Sequence, residues 1–225
     1  MAQNRTCEFW IPMEKSLQQR IDEAVRESIS IVPYDPRWPG LFEAEADYLR
    51  RTLPQRLVCR IEHFGSTAIP GLAAKPIIDI LIEVTSLEET QEHIVPILTS
   101  QGYEYFWRTD VLPPYAWFIK RDHQHRRTHH LHFVEANSVL WERLLFRDYL
   151  RQFPDEARRY AEIKGSLAET FPNDRVAYAQ GKTEYIAAIT KKARQFFGTA
   201  AQRKRPGVAP EHEERISHES DRNPV

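Results

Sequence analysis

The chain has 225 residues, 41% hydrophobic and 11% aromatic, enough apolar material for the core of one ordinary domain. Lys and Arg number 31 against 32 Asp and Glu, so there is no excess positive charge to hold a nucleic-acid backbone by counterion release. No apolar run reaches membrane-spanning length, the polar N-terminus lacks the apolar core of a signal peptide, and only Cys7 and Cys59 are available to pair; a soluble, reducing, cytoplasmic setting is expected.

Residues 1–30 read as a polar extension in which EKSLQQRIDEAVRES has the spacing of a helix with a thin apolar stripe. The domain proper is expected over 31–197. It opens with IVPYDPRWPG, a short strand and a proline-punctuated turn, with Trp38 as an anchor before a helix over 40–52. Positions 41, 42, 48, 49 and 53 of that helix are apolar at helical spacing, so it should lie against a sheet. LVCRIEHF alternates, with Leu57, Cys59, Ile61 and His63 on one face and Arg60 and Glu62 on the other, which makes Cys59 a small core residue.

PIIDILIEV is too nearly unbroken in its apolar run to face water on one side, and reads as a central strand. SLEETQEHIVPILTSQGY has a serine cap, an acidic first turn and a closing Gly102, with Pro96 placed to kink the helix. GYEYFW, YAWFIKRD and HHLHFVE are three short strands, the last two joined by the polar loop HQHRRT. Helical periodicity then fills the chain to about Phe197 in three segments separated at Pro154 and Pro172. From Gly198 the composition turns charged and proline-dotted, so 198–225 is expected to be a disordered tail.

The chemistry concentrates in HFGSTAIPGLAAKPIIDILIEV. A strand that ends in Gly-Ser and enters a short helical turn leaves backbone N–H groups and a hydroxyl free for phosphate, and the next strand brings Asp79 nearby. Those parts suit metal-dependent phosphoryl or nucleotidyl transfer. The stretch resembles the signature of the GrpB family, within the nucleotidyltransferase superfamily. The likeness extends through IVPYDPRWPGLFEAEADYLR, RTHHLHFVE, LLFRDYLRQFPDEARRYAEIKGSLAETF and DRVAYAQGKTEYIAAI. It implies an α+β fold with a small mixed sheet of nucleotidyltransferase type flanked by helices, with a helical C-terminal part. It also implies that Gly65 and Ser66 form the phosphate-binding turn and that Asp79 is the first metal-binding carboxylate, for Mg or Mn.

Superfamily enzymes usually carry a second carboxylate two residues on, where side chains at i and i+2 share a face about 7 Å apart. This chain has Leu81 there, which cannot bind a metal, and Glu83 lies about 13 Å from Asp79 on the same rise, as a rim residue. Either one metal serves, or the fold persists without catalysis, or another acid such as Glu62, Asp122 or Glu135 replaces the missing one. Other catalytic groups are available beside Asp79: His130 and His132 share one face of their strand, and the resemblance puts that strand beside Asp79, with His63 close by, so the two imidazoles either join Asp79 on a transition metal or contact phosphate and carry protons. Lys75 and Lys182 are candidate phosphate contacts, although GKT at 181–183 lacks the spacing of a P-loop. Three functions follow: a nucleotidyltransferase acting on an unknown acceptor with a nucleoside triphosphate; a nucleotide- or anion-binding module with a regulatory or chaperone-like role; and a histidine-centred metal hydrolase.

Overall fold

Residues 16–109 and 113–198 are described in the computed structural model, so Cys7 and all of the expected tail beyond Gly198 lie outside it. Five strands, β1 (Val58–Phe64), β2 (Ile78–Val84), β3 (Glu104–Arg108), β4 (Tyr115–Arg121) and β5 (Arg127–Val134), make one mixed sheet in the order β1-β2-β5-β4-β3. β2 and β5 run parallel and the other neighbours antiparallel. β2 is therefore interior, as its continuous apolar run requires.

Alternation splits the sheet into two faces. Ile78, Ile80, Ile82 and Val84 of β2, with Leu131 and Phe133 of β5 and Ala116 and Phe118 of β4, form the main core beneath helix α2 (Trp38–Thr52) and the helical turns α3 (Leu87–Glu89) and α4 (Val95–Ser100). α2 buries Trp38, Phe42, Ala46 and Leu49, while Leu41, expected in its stripe, faces solvent. The short strand expected at 31–32 is a single bridge between Val32 and Ala74. Pro96 has no N–H to offer, and the helix absorbs it by widening into a π-helical turn, Thr90–Ile94, just before α4 rather than by a simple kink.

The alternation expected in β1 is re-phased. A bulge between Val58 and Arg60 inserts Cys59 as the extra residue, so Val58, Ile61 and His63 face α2 while Cys59 is exposed and is not part of the core.

The C-terminal part contains, among the described residues, four helices rather than three: α5 (Glu142–Gln152), α6 (Pro154–Thr170), α7 (Arg175–Gln180) and α8 (Thr183–Phe197). The third expected segment breaks at Gly181, where a Cβ would lie 2.4 Å from Leu167 Cδ2 of α6. Helix α1 (Leu17–Arg26) is closed by a Ser16–Gln19 capping box and docks on this assembly: Ala24 and Ile29 are buried, and the Ile29 N–H donates to the Pro172 carbonyl at 2.7 Å. Among the described residues no helix is long and apolar enough to cross a membrane.

Candidate functional site

β1 runs into Gly65, whose φ of 73° and ψ of −170° turn the chain into a single 3-10 turn, Ser66–Ala68. Thr67 pins this turn to the start of β2 by donating to the Ile77 carbonyl at 3.2 Å, so its hydroxyl accepts from His63 Nε2 at 3.0 Å. Antiparallel register sets Phe64 opposite Asp79, and a Cβ on Gly65 would stand 2.4 Å from Asp79 Oδ2. Only glycine fits here, for the positive φ and for the carboxylate.

Parallel pairing of β2 with β5 sets Asp79 level with His130 and Leu81 level with His132 on the second face of the sheet. His130 Nδ1 lies 3.1 Å from Asp79 Oδ1, and its Nε2 lies 3.4 Å from Arg127 Nη1. A guanidinium can only donate, so Nε2 accepts and the Nδ1–H donates to Asp79. His132 stacks on Tyr115 with ring centroids 5.5 Å apart, and its buried Nδ1 has no hydrogen-bond partner. One ligand atom from each of Asp79, His130 and His132 lies within 4.8 Å of the others, a spacing from which small side-chain adjustments could enclose one metal ion.

The electrostatics separate these groups. Burial raises the Asp79 carboxyl, but the hydrogen bond from His130 and the charges of His130, His132 and Lys75 outweigh it and bring it to about 2. Burial pushes His130 down to about 4 and His132 to about 3, against the pull of Asp79. Near neutrality the cluster is thus an anionic carboxylate beside two neutral imidazoles, the charge state that metal ligation requires, and His130 would ligate beside Asp79 with its proton moved from Nδ1 to Nε2.

These groups open into a cavity of about 210 Å³ under the C-terminal helices. Its lining includes Gly65, Ser66, Lys75, Asp79, His130, His132 and Lys182, so seven of the residues singled out in the sequence converge on one space. Lys164 and Arg143 join them, giving four cationic side chains against one carboxylate. Lys75 and Lys182 lie over the Tyr178 ring at 5.1 and 4.1 Å, and Lys164 lies over Tyr160 at 4.9 Å while donating to the Ala73 carbonyl. Burial first, and then repulsion from neighbouring cations, lowers Lys75 and Lys164 to about 7; the same pair of effects, opposed by Asp79, lowers Lys182 to about 8.

Three expectations need correction. His63 is on the opposite face, stacked on Phe42 with centroids 4.8 Å apart, because β1 and β2 alternate in register and His63 pairs with Ile80 rather than Asp79. Glu83 is buried opposite Arg60 and is not at a rim. Among the described residues Asp79 is the only carboxylate lining the site, and none of the three named acids takes the second position: Leu81 is sealed among Phe64, Tyr115, Val134 and Trp141, Glu62 pairs with Arg60 and Arg147, Asp122 accepts from its own turn, and Glu135 accepts from the Leu87 N–H. Sequence reasoning missed Lys164 and Arg143. Lys164 falls four residues after Tyr160 on the inward stripe of α6, and a lysine on an apolar stripe is the signal that would have found it.

The fold and site define a mixed α+β domain with a carboxylate–histidine cluster in a cationic cavity. Residues 28–192 match the family described as GrpB protein, and the chain belongs to that family. It is 44% identical over 178 residues to a UPF0157 protein of Pseudomonas aeruginosa, covering 78% of this chain and 72% of that one. It is 35% identical over 164 residues to the glutamate-rich protein GrpB of Alkalihalophilus pseudofirmus, covering 72% and 93% respectively. The crystal structure of conserved protein GrpB from Enterococcus faecalis is similar with a TM-score of 0.67 at 32% identity, covering 76% of this chain and 100% of that one.

Proposed function

We propose that the cavity at Gly65, Ser66 and Asp79 binds a nucleoside triphosphate with one divalent metal, and that the protein transfers a nucleotidyl group to an acceptor in the manner of the nucleotidyltransferase superfamily. The observation that carries this reading is the composition of the cavity: Lys75, Lys164, Lys182 and Arg143 face one ionised carboxylate that has two neutral imidazoles beside it. Such a lining attracts a polyanion and a metal together. At about 210 Å³ it is smaller than sites that enclose whole drug-sized ligands, so it suits the phosphates, with the nucleoside outside.

Asp79, His130 and His132 would hold the metal, and the unpartnered Nδ1 of His132 fits that role. Two nitrogens and one carboxylate favour Mn²⁺ or another transition metal over Mg²⁺, which prefers oxygen. When bound, the metal would supply charge neutralisation at the phosphates. The lysines would hold the triphosphate while an acceptor hydroxyl gives up its proton to water. The acceptor oxygen bonds to the α-phosphorus as the bond to the bridging oxygen breaks, and pyrophosphate leaves with the electron pair.

A second reading, a nucleotide- or anion-binding module without turnover, is favoured by Leu81, which closes the position of a second metal-binding carboxylate. Calorimetric and thermal-shift titration with ATP, GTP, CTP and UTP, each with and without Mg²⁺ or Mn²⁺, tests both. Metal-dependent binding that disappears in Asp79→Asn supports the site, and release of pyrophosphate with an acceptor separates the enzyme from the module. Absence of binding by every nucleotide with either metal would sink the transferase and the nucleotide-binding module alike.

A further inference from the structure

Beside the phosphate cavity lies a larger one of about 660 Å³, formed by α1, the β4–β5 turn and the start of α7. Lys75 and Ile77 line both cavities, so the two adjoin. The larger is lined by Arg20, Lys75, Arg121, Arg126, Arg127 and Arg175, against three carboxylates, Glu23, Glu27 and Glu104.

Its arginines are held in place before any ligand arrives. Three converge on Glu27: Arg121 Nη2 at 2.6 Å, Arg127 Nε at 2.6 Å and Arg175 Nη2 at 3.5 Å. Arg121 also donates to Glu104 at 2.7 Å and to the His125 carbonyl at 2.8 Å. Arg175 donates to the carbonyls of Glu27 and Ser28, each at 3.1 Å, and its buried Nη1 has no partner. The turn residue His125 has a φ of 60°, and Asp122 accepts from the Gln124 and Arg126 N–H groups and from the Arg126 guanidinium at 2.8 Å, which fixes where Arg126 stands and leaves six cations against four carboxylates in and beside the cavity. A network whose sole task was to staple α1 to the sheet would need neither this surplus of cations nor an orphaned donor. A guanidinium fork is the group that suits planar carboxylates and phosphates.

We propose that this second cavity is an anion site and that it receives the carboxylate or phosphate group of the acceptor, a small anionic molecule. The acceptor role rests on the proposed transfer function; the anion site does not. Lys75 lies where the two ligands would meet, and Arg127, through its contact with His130, ties the arginine network to Asp79.

The test is calorimetric titration of citrate and of inorganic phosphate into the full-length chain at low ionic strength. The expected result is saturable binding that weakens tenfold or more in Arg175→Gln. Because Arg175 also bonds the end of α1, the single variant Arg126→Gln, whose side chain is exposed and forms a surface pair with Asp122, is measured beside it, and it should weaken binding with its melting temperature nearly unchanged. Lys182→Gln, in the other cavity, should leave citrate affinity within twofold. Absence of citrate and phosphate binding overturns the anion site, as does binding that only Lys182→Gln weakens. Mn²⁺-ATP titration of the same wild-type sample tests the transfer reading separately: citrate bound through the arginines with no nucleotide bound would keep the anion site and overturn its assignment to an acceptor.

Discussion

Gly65 and Asp79 are fitted to each other: the glycine has a φ of 73°, and the space its side chain would occupy is taken by the Asp79 carboxylate, 2.4 Å from where a Cβ would stand. Gly65→Ala therefore meets two penalties, a left-handed backbone and a clash with the Asp79 carboxylate, which can turn aside only by giving up its bond to His130. The expected cost is roughly 1–3 kcal/mol from the backbone alone, with more from the clash. A double-mutant cycle with Asp79→Ala separates them, because removing the carboxylate relieves only the clash; chemical denaturation should give a coupling of about 0.5 kcal/mol or more.

His63 makes acid destabilising. It is buried between Phe42 and Thr67, and burial, with the nearby Arg151 and Arg147, holds it at about 4 although Asp79 pulls the other way. Between its ordinary value near 6.5 and 4, the unfolded chain takes up a proton that the folded chain refuses, so stability falls as pH drops through that window and His63 adds no further loss below it. At about 1.36 kcal/mol per pKa unit, the full effect is on the order of 3 kcal/mol. His130 and His132 act in the same direction. Denaturation curves from pH 7 to pH 4 should be less steep in pH for His63→Phe than for the wild type.

The strands were legible because burial writes itself into the sequence directly, as a nearly unbroken apolar run in β2, buried on both faces, and as alternation in strands with one polar face. β1 misled at Cys59 because a bulge changes phase without changing composition. The turn at Gly65 and the face of His130 and His132 could be placed by counting along the chain. Lys164 and the Arg127–Glu27 contact could not: each joins segments 91 or 100 residues apart, through helix docking that no local pattern encodes. His63 failed for a different reason, since nearness in sequence to Gly65 says nothing about which face of the sheet a side chain takes.

Asp79→Asn should destabilise the metal-free protein. Burial alone would favour neutralisation, but the hydrogen bond from His130 and the charge of Lys75 favour the anion at neutral pH, and once His130 and His132 are protonated in acid the carboxyl titrates only at about 2, below its ordinary 3.8. That stability is present above pH 4 and is lost as pH falls toward 2. The variant forfeits it at neutral pH, a loss on the order of 2 kcal/mol and several degrees of melting temperature. Differential scanning fluorimetry at pH 7 should show that drop, and Mn²⁺ should stabilise the wild type but not the variant.

The three lysines extend the same sign of slope into alkali. Lys75 and Lys164 are lowered to about 7 and Lys182 to about 8, so between these values and the ordinary 10.5 the unfolded chain binds protons that the folded chain has released. Stability of the ligand-free protein should therefore rise from pH 7 to pH 9 or 10. The buried tyrosines end the gain near pH 10: Tyr160 is raised by burial to about 12, so the unfolded chain ionises first and stability then declines. An anion in the cavity reverses the lysine effect by favouring their charged forms. Pyrophosphate binding at pH 8 should then take up protons, visible as a calorimetric enthalpy that changes with the ionisation heat of the buffer. Lys164→Met should reduce both the alkaline gain in stability and this proton uptake. A buffer-independent enthalpy would mean that these lysines do not hold the phosphates.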